Sequence, residues 1–401
     1  MSNLSLYATH FLISSDRSNE MNTDIYSEIT DKFRSEGRMR RIPAHRSGSG
    51  MTDLCSNDYM GLAARAHEWT EEFRKRFPSA SMTSSASRLL ASDQEIYLLL
   101  EKYLEKCYGR PALLFNSGYH ANTGLVSALD VPGTLWATDR LVHASVIDGL
   151  RMAGADFKRW NHNDTAHLRR ILEKEHDSRE GIIVVCESVY SMDGDVAPLR
   201  ELSALKHEFP KMMLYVDEAH AIGAIGPQGL GVAMESGTAR EADIIVGTLG
   251  KACASVGAFV ICSSTLKDYL INSARSLIFS TAIAPANAAW SLLMLEKLAD
   301  MDCERRHLLE ISETFRKGIE RITGRSNPSR SAIVPLVTGD AETATNLSLA
   351  LEKAGILALP IRRPTVPPGG ERIRFSLNAG LSVGKIHEIL ENIEEAYDNL
   401  R

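Results

Sequence analysis

The feature that most restricts how this chain can fold is the alternation of short apolar runs with longer segments of helical periodicity. Residues 182–185 read Ile-Ile-Val-Val and are apolar at every position, as expected of a strand covered by helices on both faces. A strand–helix–strand order repeated in this way predicts a parallel α/β sheet over residues 55–285. The predicted strands are 112–115, 134–137, 181–186, 212–216, 244–246 and 258–262.

The segments that flank this core have a different texture. Residues 1–54 are mostly polar and predict an N-terminal arm, whereas residues 286–401 predict a smaller C-terminal α+β domain. The segment 363–370 contains three prolines and two glycines and therefore predicts a loop. Outside the core, helical stretches are predicted at 26–33, 285–301, 341–354 and 383–400, and strands at 332–337, 356–360 and 372–377.

The composition excludes several classes of protein. Over 401 residues, 45 Lys and Arg against 51 Asp and Glu give a net charge of −6, which provides no basic field for binding nucleic acid. No apolar run of about 18 residues occurs, and the chain does not begin with the basic and apolar regions of a signal peptide. We therefore expect a cytoplasmic protein that does not cross a membrane and whose six cysteines are reduced.

Polar residues follow five of the predicted strands. Because ligands bind outside the carboxyl ends of the strands in an open α/β sheet, these residues are the candidates for a functional site. The turn at 116–122 also enters a helix, whose free N–H groups suit an anion such as phosphate. The candidates are Ser117, Gly118 and Tyr119 in that turn, then His143, Ser191, Asp217, His220, Thr248 and Lys251.

Each candidate also has a purely structural interpretation. Asp217 could cap a helix, His143 and His220 could be interior histidines, and Lys251 could be solvated. Gly250-Lys251 does not complete a P-loop, because Ile245 and Ala252 stand where that motif needs Gly and Ser or Thr. A metal hydrolase remains a weak alternative, because H-E-x-x-H and C-x-x-C spacings are missing.

The combination suits pyridoxal 5′-phosphate (PLP). That cofactor needs a lysine amine for a Schiff base, a carboxylate beside the ring nitrogen, an anion-binding turn and a flat side chain against the ring. Lys251, Asp217, the 117–122 turn and His143 supply these four parts. Asp217 matters most for the chemistry, because a protonated ring nitrogen makes the cofactor an electron sink.

From about residue 40 onward the chain resembles the α-oxoamine synthases, a family of fold-type-I PLP enzymes. The resemblance implies the PLP-dependent transferase fold, with a mostly parallel seven-stranded sheet covered by helices, and a homodimer with shared active sites. The segments that carry it are Ser-Asn-Asp-Tyr-Met-Gly-Leu at 56–62, Asp-Arg-Leu-Val-His-Ala-Ser at 139–145, Ser-Val-Tyr-Ser-Met-Asp-Gly-Asp at 188–195, Val-Asp-Glu-Ala-His at 216–220 and Thr-Leu-Gly-Lys at 248–251.

The resemblance also implies a role for each matching residue. On the cofactor side, Lys251 would carry the imine, Asp217 would pair with the pyridinium and His143 would stack on the ring. His220 and Ser191 would bind the phenolic oxygen. The phosphate would lie between Gly118, Tyr119 and Thr248, with Ser280 and Thr281 reaching in from the partner subunit. On the substrate side, Arg374 would clamp the amino-acid carboxylate beside Asn57, while Thr365 and Arg40 would contact the acyl group.

The loop at 361–369 and the strand after it are most similar to one branch of the family. That branch condenses L-alanine with a pimeloyl thioester, carried on coenzyme A or a carrier protein, and releases carbon dioxide and the free thiol on the route to biotin. The alternative is another α-oxoamine synthase, such as one that joins glycine to acetyl-CoA or one that makes a long-chain α-aminoketone.

Residues 83–97 depart from the family pattern G-S-G-G-S-R-L-V-S-G-N-H-x-x-H. Thr83, Ser85 and Ala86 replace glycines, and Gln94 and Tyr97 replace histidines. Because glycine permits positive φ angles and close backbone approach, we expect this segment to have a different shape.

Overall fold

The computed structural model describes residues 24–36, 38–40, 42, 50–92 and 94–400. Most of the predicted N-terminal arm therefore lies outside the described residues, as does Asp93 of the departing segment. The strands are β1 Thr52–Asp53, β2 Ala112–Phe115, β3 Thr134–Asp139, β4 Phe157–Trp160, β5 Gly181–Glu187, β6 Met212–Asp217, β7 Ile244–Thr248, β8 Ala258–Ile261, β9 Ile333–Val337, β10 Ile356–Leu357, β11 Pro360–Ile361 and β12 Arg372–Ser376.

The α-helices of the same residues alternate with these strands through the first two thirds of the chain. They are α1 Asp24–Ser35, α2 Leu62–Arg65, α3 Thr70–Arg76, α4 Glu95–Tyr108, α5 Gly118–Leu129, α6 Ala144–Ala153, α7 Thr165–Glu175, α8 Leu199–Glu208, α9 Val232–Glu235, α10 Ser264–Ser273, α11 Arg275–Ile278, α12 Pro285–Ala299, α13 Asp302–Thr323, α14 Ala341–Lys353 and α15 Val383–Asp398.

One large sheet organises the molecule. Within the described residues it has seven strands in the order β2-β8-β7-β6-β5-β3-β4. All neighbouring pairs from β7 to β4 are parallel, whereas β8 runs antiparallel to both β2 and β7. The predicted mostly parallel α/β sheet is therefore confirmed.

Both faces of this sheet are buried. On β5, Ile182 and Val184 pack into one apolar core, and Ile183 and Val185 pack into the other. Because successive side chains of a strand point to opposite faces, a strand covered on both sides must be apolar throughout. This explains the uninterrupted apolar run at 182–185.

Four strands continue past the last apolar residue of the predicted run. β3, β5, β6 and β7 end on Asp139, Glu187, Asp217 and Thr248, respectively. The backbone hydrogen bonding between strands continues because residues of the neighbouring strand still lie opposite. Glu187, for example, pairs in register with Asp217. The strand ends therefore place polar side chains at one edge of the sheet.

Local sequence signals explain where several helices begin and end. Ser117 caps α5 by accepting a hydrogen bond from the N–H of His120, and Asp164 caps α7 in the same way through His167. Gly324 ends α13 with a left-handed φ of 67°.

A second, smaller sheet lies toward the C-terminus. Within the described part of the chain it has three antiparallel strands in the order β11-β12-β9. β1 pairs in parallel with β10, so residues 52–53 join this region rather than the large sheet. The backbone oxygen of Gly194, in the turn after β5, accepts hydrogen bonds from Arg330 N and Ser331 Oγ, both at 2.9 Å, which ties the two regions together. The domain limits at 54/55 and 285/286 stay predictions.

Three elements differ from the sequence-based expectation. The sequence does not predict strand β4, because Phe-Lys-Arg-Trp is a partly exposed edge strand without an apolar run. The helix α13 is also not predicted, although Leu308, Ile311 and Phe315 repeat at helical spacing. The strand predicted at 356–360 is two separate short strands, β10 and β11, which belong to different sheets.

No helix within residues 24–36, 50–92 and 94–400 is both long and apolar enough to cross a lipid bilayer.

A histidine ties the end of β3 to the turn after β5. His162 Nδ1 lies 3.0 Å from Asp139 Oδ1, and His162 Nε2 lies 2.7 Å from Asp195 Oδ2. Burial lowers the pKa of His162, but the hydrogen bonds to the two carboxylates outweigh it and raise that pKa to about 10. Both ring nitrogens therefore donate, and the imidazole is charged at neutral pH.

We expect His162→Gln to lower the free energy of unfolding by about 2–4 kcal/mol at pH 6, because two charge-assisted hydrogen bonds are lost. The wild-type advantage is fully present below the unfolded pKa of about 6.5 and declines as pH rises toward 10. Urea unfolding at pH 6, 8 and 10 measures this, with the exposed His387→Gln as the matched control. A constant difference across this range would contradict a charged His162.

Candidate active site

The buried carboxylate of Asp217 is the best-supported group at the carboxyl edge of the sheet. Its side chain is 4% exposed. Asp217 Oδ2 accepts a hydrogen bond from Asn122 Nδ2 at 2.8 Å, and Oδ1 accepts one from the N–H of Ala219 at 2.9 Å. The hydroxyl of Tyr215 donates to Asn122 Oδ1 at 2.6 Å, which fixes the amide so that its NH₂ group faces Asp217.

A second carboxyl group, Glu187, lies beside Asp217 in the strand register. It is 3% exposed, and among the described residues its Oε1 has no hydrogen-bond partner. Burial, and then the neighbouring Asp217 carboxylate, raise the pKa of Glu187 well above its usual value. Because two adjacent buried carboxylates cannot both ionise cheaply, this arrangement favours the protonated form of Glu187.

His143 caps α6 with its own side chain. Nδ1 accepts a hydrogen bond from the N–H of Ser145 at 3.2 Å and lies 2.8 Å from Ser145 Oγ. Burial lowers the pKa of His143, so the ring is neutral at pH 7. Since Nδ1 accepts, the single ring proton sits on Nε2, and His143 can donate it to a ligand.

Lys251 lies after β7 at the start of a hydrogen-bonded chain. Its Nζ is 2.8 Å from His220 Nε2, and His220 Nδ1 is 2.6 Å from the hydroxyl of Tyr59. Burial lowers the pKa of Lys251 to about 8, and the Asp217 carboxylate opposes this shift. Burial, followed by the charge of Lys251, lowers the pKa of His220 well below its usual value. His220 is therefore neutral and accepts a hydrogen bond from the Lys251 ammonium group.

Arg374 comes from β12 of the small sheet and is 8% exposed. Its Nη2 donates to Asn57 Oδ1 at 3.1 Å, and its Nη1 donates to Ser376 Oγ at 2.8 Å. Its Nε donates to the backbone oxygen of Ser191. Among the described residues no carboxylate forms an ion pair with Arg374, so the guanidinium is suited to an anionic ligand.

The turn that precedes α5 closely approaches the end of β7. A Cβ added to Gly118 would lie only 2.6 Å from Thr248 Cγ2, so a larger residue would displace one of the two segments. The first N–H groups of α5 have no acceptor within the helix. The turn at Ser117 and Gly118 therefore presents backbone N–H donors beside Thr248.

A cavity of about 1500 Å³ is lined by His143, His220, Lys251 and Arg374 of these groups. The loop 361–369 forms part of the cavity wall. In this loop, Thr365 Oγ1 accepts a hydrogen bond from Arg40 Nη2 at 2.8 Å. The sequence-predicted residues that line the cavity are Asn57, His143, Ser191, His220, Lys251, Thr365 and Arg374.

Eight predicted residues are not part of the cavity lining, namely Arg40, Ser117, Gly118, Tyr119, Asp217, Thr248, Ser280 and Thr281. Tyr119 is 47% exposed, and its hydroxyl donates to Asp148 Oδ2 at 2.8 Å. Ser280 Oγ accepts a hydrogen bond from Asn116 Nδ2 at 2.9 Å, next to the Ser117 turn, and the backbone oxygen of Thr281 accepts from the same amide.

Sequence reasoning missed Tyr59, Asn122 and Glu187 as members of the site. Tyr59 lies within the quoted motif at 56–62, and Glu187 directly follows an apolar run, so a signal existed for both. Asn122 lies one turn into α5, where a polar residue that is 1% exposed among apolar neighbours is the only sign of its role.

The departing segment 83–97 contacts this region. Ser85, which replaces a glycine of the family pattern, adopts a positive φ of 50°. Ser87 forms an isolated antiparallel bridge with Thr281. Tyr97 is completely buried, and its hydroxyl donates to the backbone oxygen of Ile283 at 2.5 Å. The segment therefore supports the Ser280–Thr281 turn without the glycines.

Among the residues that the structure describes, no group of three or more His, Cys, Asp or Glu side chains has the arrangement of a metal site.

This fold and this site define a class of protein. The model of the aminotransferase class I and II family matches residues 49–393, and the chain belongs to that family. Its fold is that of the fold-type-I PLP-dependent enzymes.

Individual members of that class are also similar. The 8-amino-7-oxononanoate synthase of Haemophilus ducreyi is 46% identical over 348 residues, which is 85% of this chain and 90% of that protein. The crystal structure of 8-amino-7-oxononanoate synthase from Francisella tularensis has a TM-score of 0.74 at 26% identity, over 88% of this chain and 99% of that one. A serine palmitoyltransferase variant from S. paucimobilis with a bound PLP–myriocin aldimine has a TM-score of 0.85 at 26% identity, over 95% and 99% of the two chains.

We expect Lys251 to react as an unusually acidic lysine. With a pKa of about 8, half of its amines are uncharged at pH 8, roughly a hundredfold larger fraction than for an ordinary lysine. Reductive methylation of cofactor-free protein, followed by peptide mass spectrometry, should give a rate that rises through pH 8 and levels off above it.

Asp217→Asn should move that profile to lower pH, because the Asp217 charge raises the pKa of Lys251. The exposed Asp398→Asn serves as the matched control and should leave the profile unchanged. If the methylation rate of Lys251 had the same pH dependence as that of the surface lysines in the same digest, the lowered pKa inferred for Lys251 would be wrong.

Proposed function

We propose that this protein is a PLP-dependent acyltransferase that condenses L-alanine with a pimeloyl thioester to give 8-amino-7-oxononanoate, carbon dioxide and the free thiol, a step of biotin biosynthesis. One observation carries the proposal: Lys251 interacts with the buried Asp217 carboxylate at the edge of the large sheet and lines a cavity together with Arg374, a buried arginine of the small sheet that has no carboxylate partner among the described residues. The 46% identity to the synthase of Haemophilus ducreyi supports the choice of substrates.

The residues fit PLP at each of its polar groups. Asp217 would hold the ring nitrogen, and Lys251 would supply the amine. His143 would stack on the ring, while His220 and Ser191 would bind the phenolic oxygen. Ser117, Gly118, Tyr119 and Thr248 would hold the phosphate, and the close approach of Gly118 to Thr248 requires a glycine at position 118.

We further propose that two copies of the chain share each active site, with Ser280 and Thr281 of a second copy at the phosphate. Ser280 is half-buried and Thr281 is exposed, and both lie beside the Ser117 turn. The phosphate would then be bound from two sides.

PLP would supply an electron sink for the negative charge that develops at the amino-acid α-carbon. Lys251 Nζ would take the α-proton, because its pKa of about 8 gives it a neutral form near physiological pH. Arg374 and Asn57 would hold the substrate carboxylate through charge-assisted hydrogen bonds. His143 Nε2–H would donate to the oxygen of the carbonyl that is attacked.

The acyl donor would enter through the large cavity. Arg40 and Thr365, which are hydrogen-bonded to each other, would contact the acyl chain. The cavity volume of about 1500 Å³ accommodates a substrate longer than an amino acid. The donor is a pimeloyl group on coenzyme A or on a carrier protein.

We expect alanine with pimeloyl-CoA to turn over at least about tenfold faster, by kcat/KM, than glycine with acetyl-CoA or serine with palmitoyl-CoA. Release of free thiol measures all three pairs with the same enzyme. Pimeloyl-carrier protein is the fourth arm. A preference for glycine with acetyl-CoA would contradict the proposed substrates, and a preference for serine with palmitoyl-CoA would favour the function of the structurally similar serine palmitoyltransferase.

We expect Asp217→Asn to bind PLP but to lose α-proton exchange of alanine in D₂O by about 10²–10⁴-fold, because a neutral amide no longer keeps the ring nitrogen protonated. Proton NMR of alanine measures exchange, and absorbance of the dialysed protein measures bound cofactor. Lys251→Ala should lose both the exchange and the borohydride-fixed cofactor. Exchange at the wild-type rate in Asp217→Asn would refute the electron-sink role of Asp217.

A further inference from the structure

A second cavity, of about 390 Å³, lies behind the active site. His220 lines both cavities, so its imidazole is part of the partition between them. Tyr59, which is hydrogen-bonded to His220, lines the second cavity. A ligand in this cavity would therefore contact the opposite side of the chain of hydrogen bonds that leads to Lys251.

The walls of this cavity are largely apolar. They come from the segment after β6, from the first turns of α13 and from the start of β9. The apolar residues that face it include Val196, Ile225, Val232, Leu308, Leu309 and Ile333. Its volume lies within the range of small-molecule sites, and such a lining favours an aliphatic ligand.

The charged lining consists of three arginines and two acidic residues. Arg306 and Arg330 line the cavity and are exposed, and within residues 50–92 and 94–400 neither forms an ion pair with a carboxylate. Arg305, in contrast, is buried and bound to Asp302. Glu235 is the other acidic residue of the lining.

We propose that this cavity binds a medium-chain aliphatic monocarboxylate, with its chain against the apolar walls and its carboxylate at Arg306 and Arg330. If the ligand carried a second carboxylate at the end of its chain away from the arginines, that carboxylate would be buried beside Tyr59 and the neutral His220. Neither side chain carries a compensating charge. A monocarboxylate should therefore bind more tightly than a dicarboxylate such as pimelate. This site is independent of the proposed reaction.

Calorimetric titration of the holoenzyme with hexanoate, heptanoate and octanoate tests the proposal. We expect one site per chain and an affinity that rises about fourfold for each added methylene. Octanamide and pimelate should each bind at least about tenfold more weakly than octanoate. If octanamide bound as tightly as octanoate, the arginines would not be binding the carboxylate. If pimelate bound more tightly than octanoate, the cavity would instead bind the dicarboxylic acid of the proposed reaction.

Two variants separate this site from non-specific binding. The double variant Arg306→Gln/Arg330→Gln changes only exposed side chains and should weaken octanoate binding at least about tenfold, whereas the exposed Arg325→Gln should not. Ala224→Leu should fill part of the cavity and reduce binding further. The absence of binding by wild-type enzyme, or unchanged binding by the double variant, would overturn the proposal. Neither result bears on the thioester assay, so the two proposals fail separately.

Discussion

The buried carboxylate of Asp217 is the interaction on which the rest of the site depends. Leaving an isolated carboxylate in a sheet core costs several kcal/mol, so the fold must compensate it. Asn122 and the N–H of Ala219 do so from two directions, and Tyr215 fixes the orientation of Asn122. The negative charge of Asp217 also affects its neighbours, because it adds to burial in raising the pKa of Glu187 and opposes the lowering of the pKa of Lys251.

The two sheets contribute different parts of the chemistry. The large sheet provides Asp217 and Lys251 from the ends of the adjacent strands β6 and β7, and the Ser117 turn from the end of β2. The small sheet provides Arg374, which reaches Asn57 and the backbone of Ser191 in the turn after β5. A site built between two such regions can bind the cofactor on one side and the substrate carboxylate on the other. The hydrogen bonds to Gly194 hold the two sides together.

Much of this arrangement could be predicted from the sequence. The six core strands follow from apolar runs, and Asp217, Lys251 and His143 follow from their positions after those runs. β4 could not be predicted in this way, because its half-exposed charged residues carry no strand signal. The protonation of Glu187 was equally inaccessible, because it depends on burial and on the pairing register with Asp217.

The sequence by itself determined the fold class and the chemical groups at the carboxyl edge of the sheet, because apolar periodicity and the residue type after each strand are local properties. Only the tertiary structure decided the proton positions. Whether Lys251 is a base, whether Glu187 is neutral and which nitrogen of His143 carries the proton all depend on distances of a few ångströms between distant segments. It also decided that His220 lies between two cavities and contacts Tyr59, since residues 161 positions apart meet only in the folded chain.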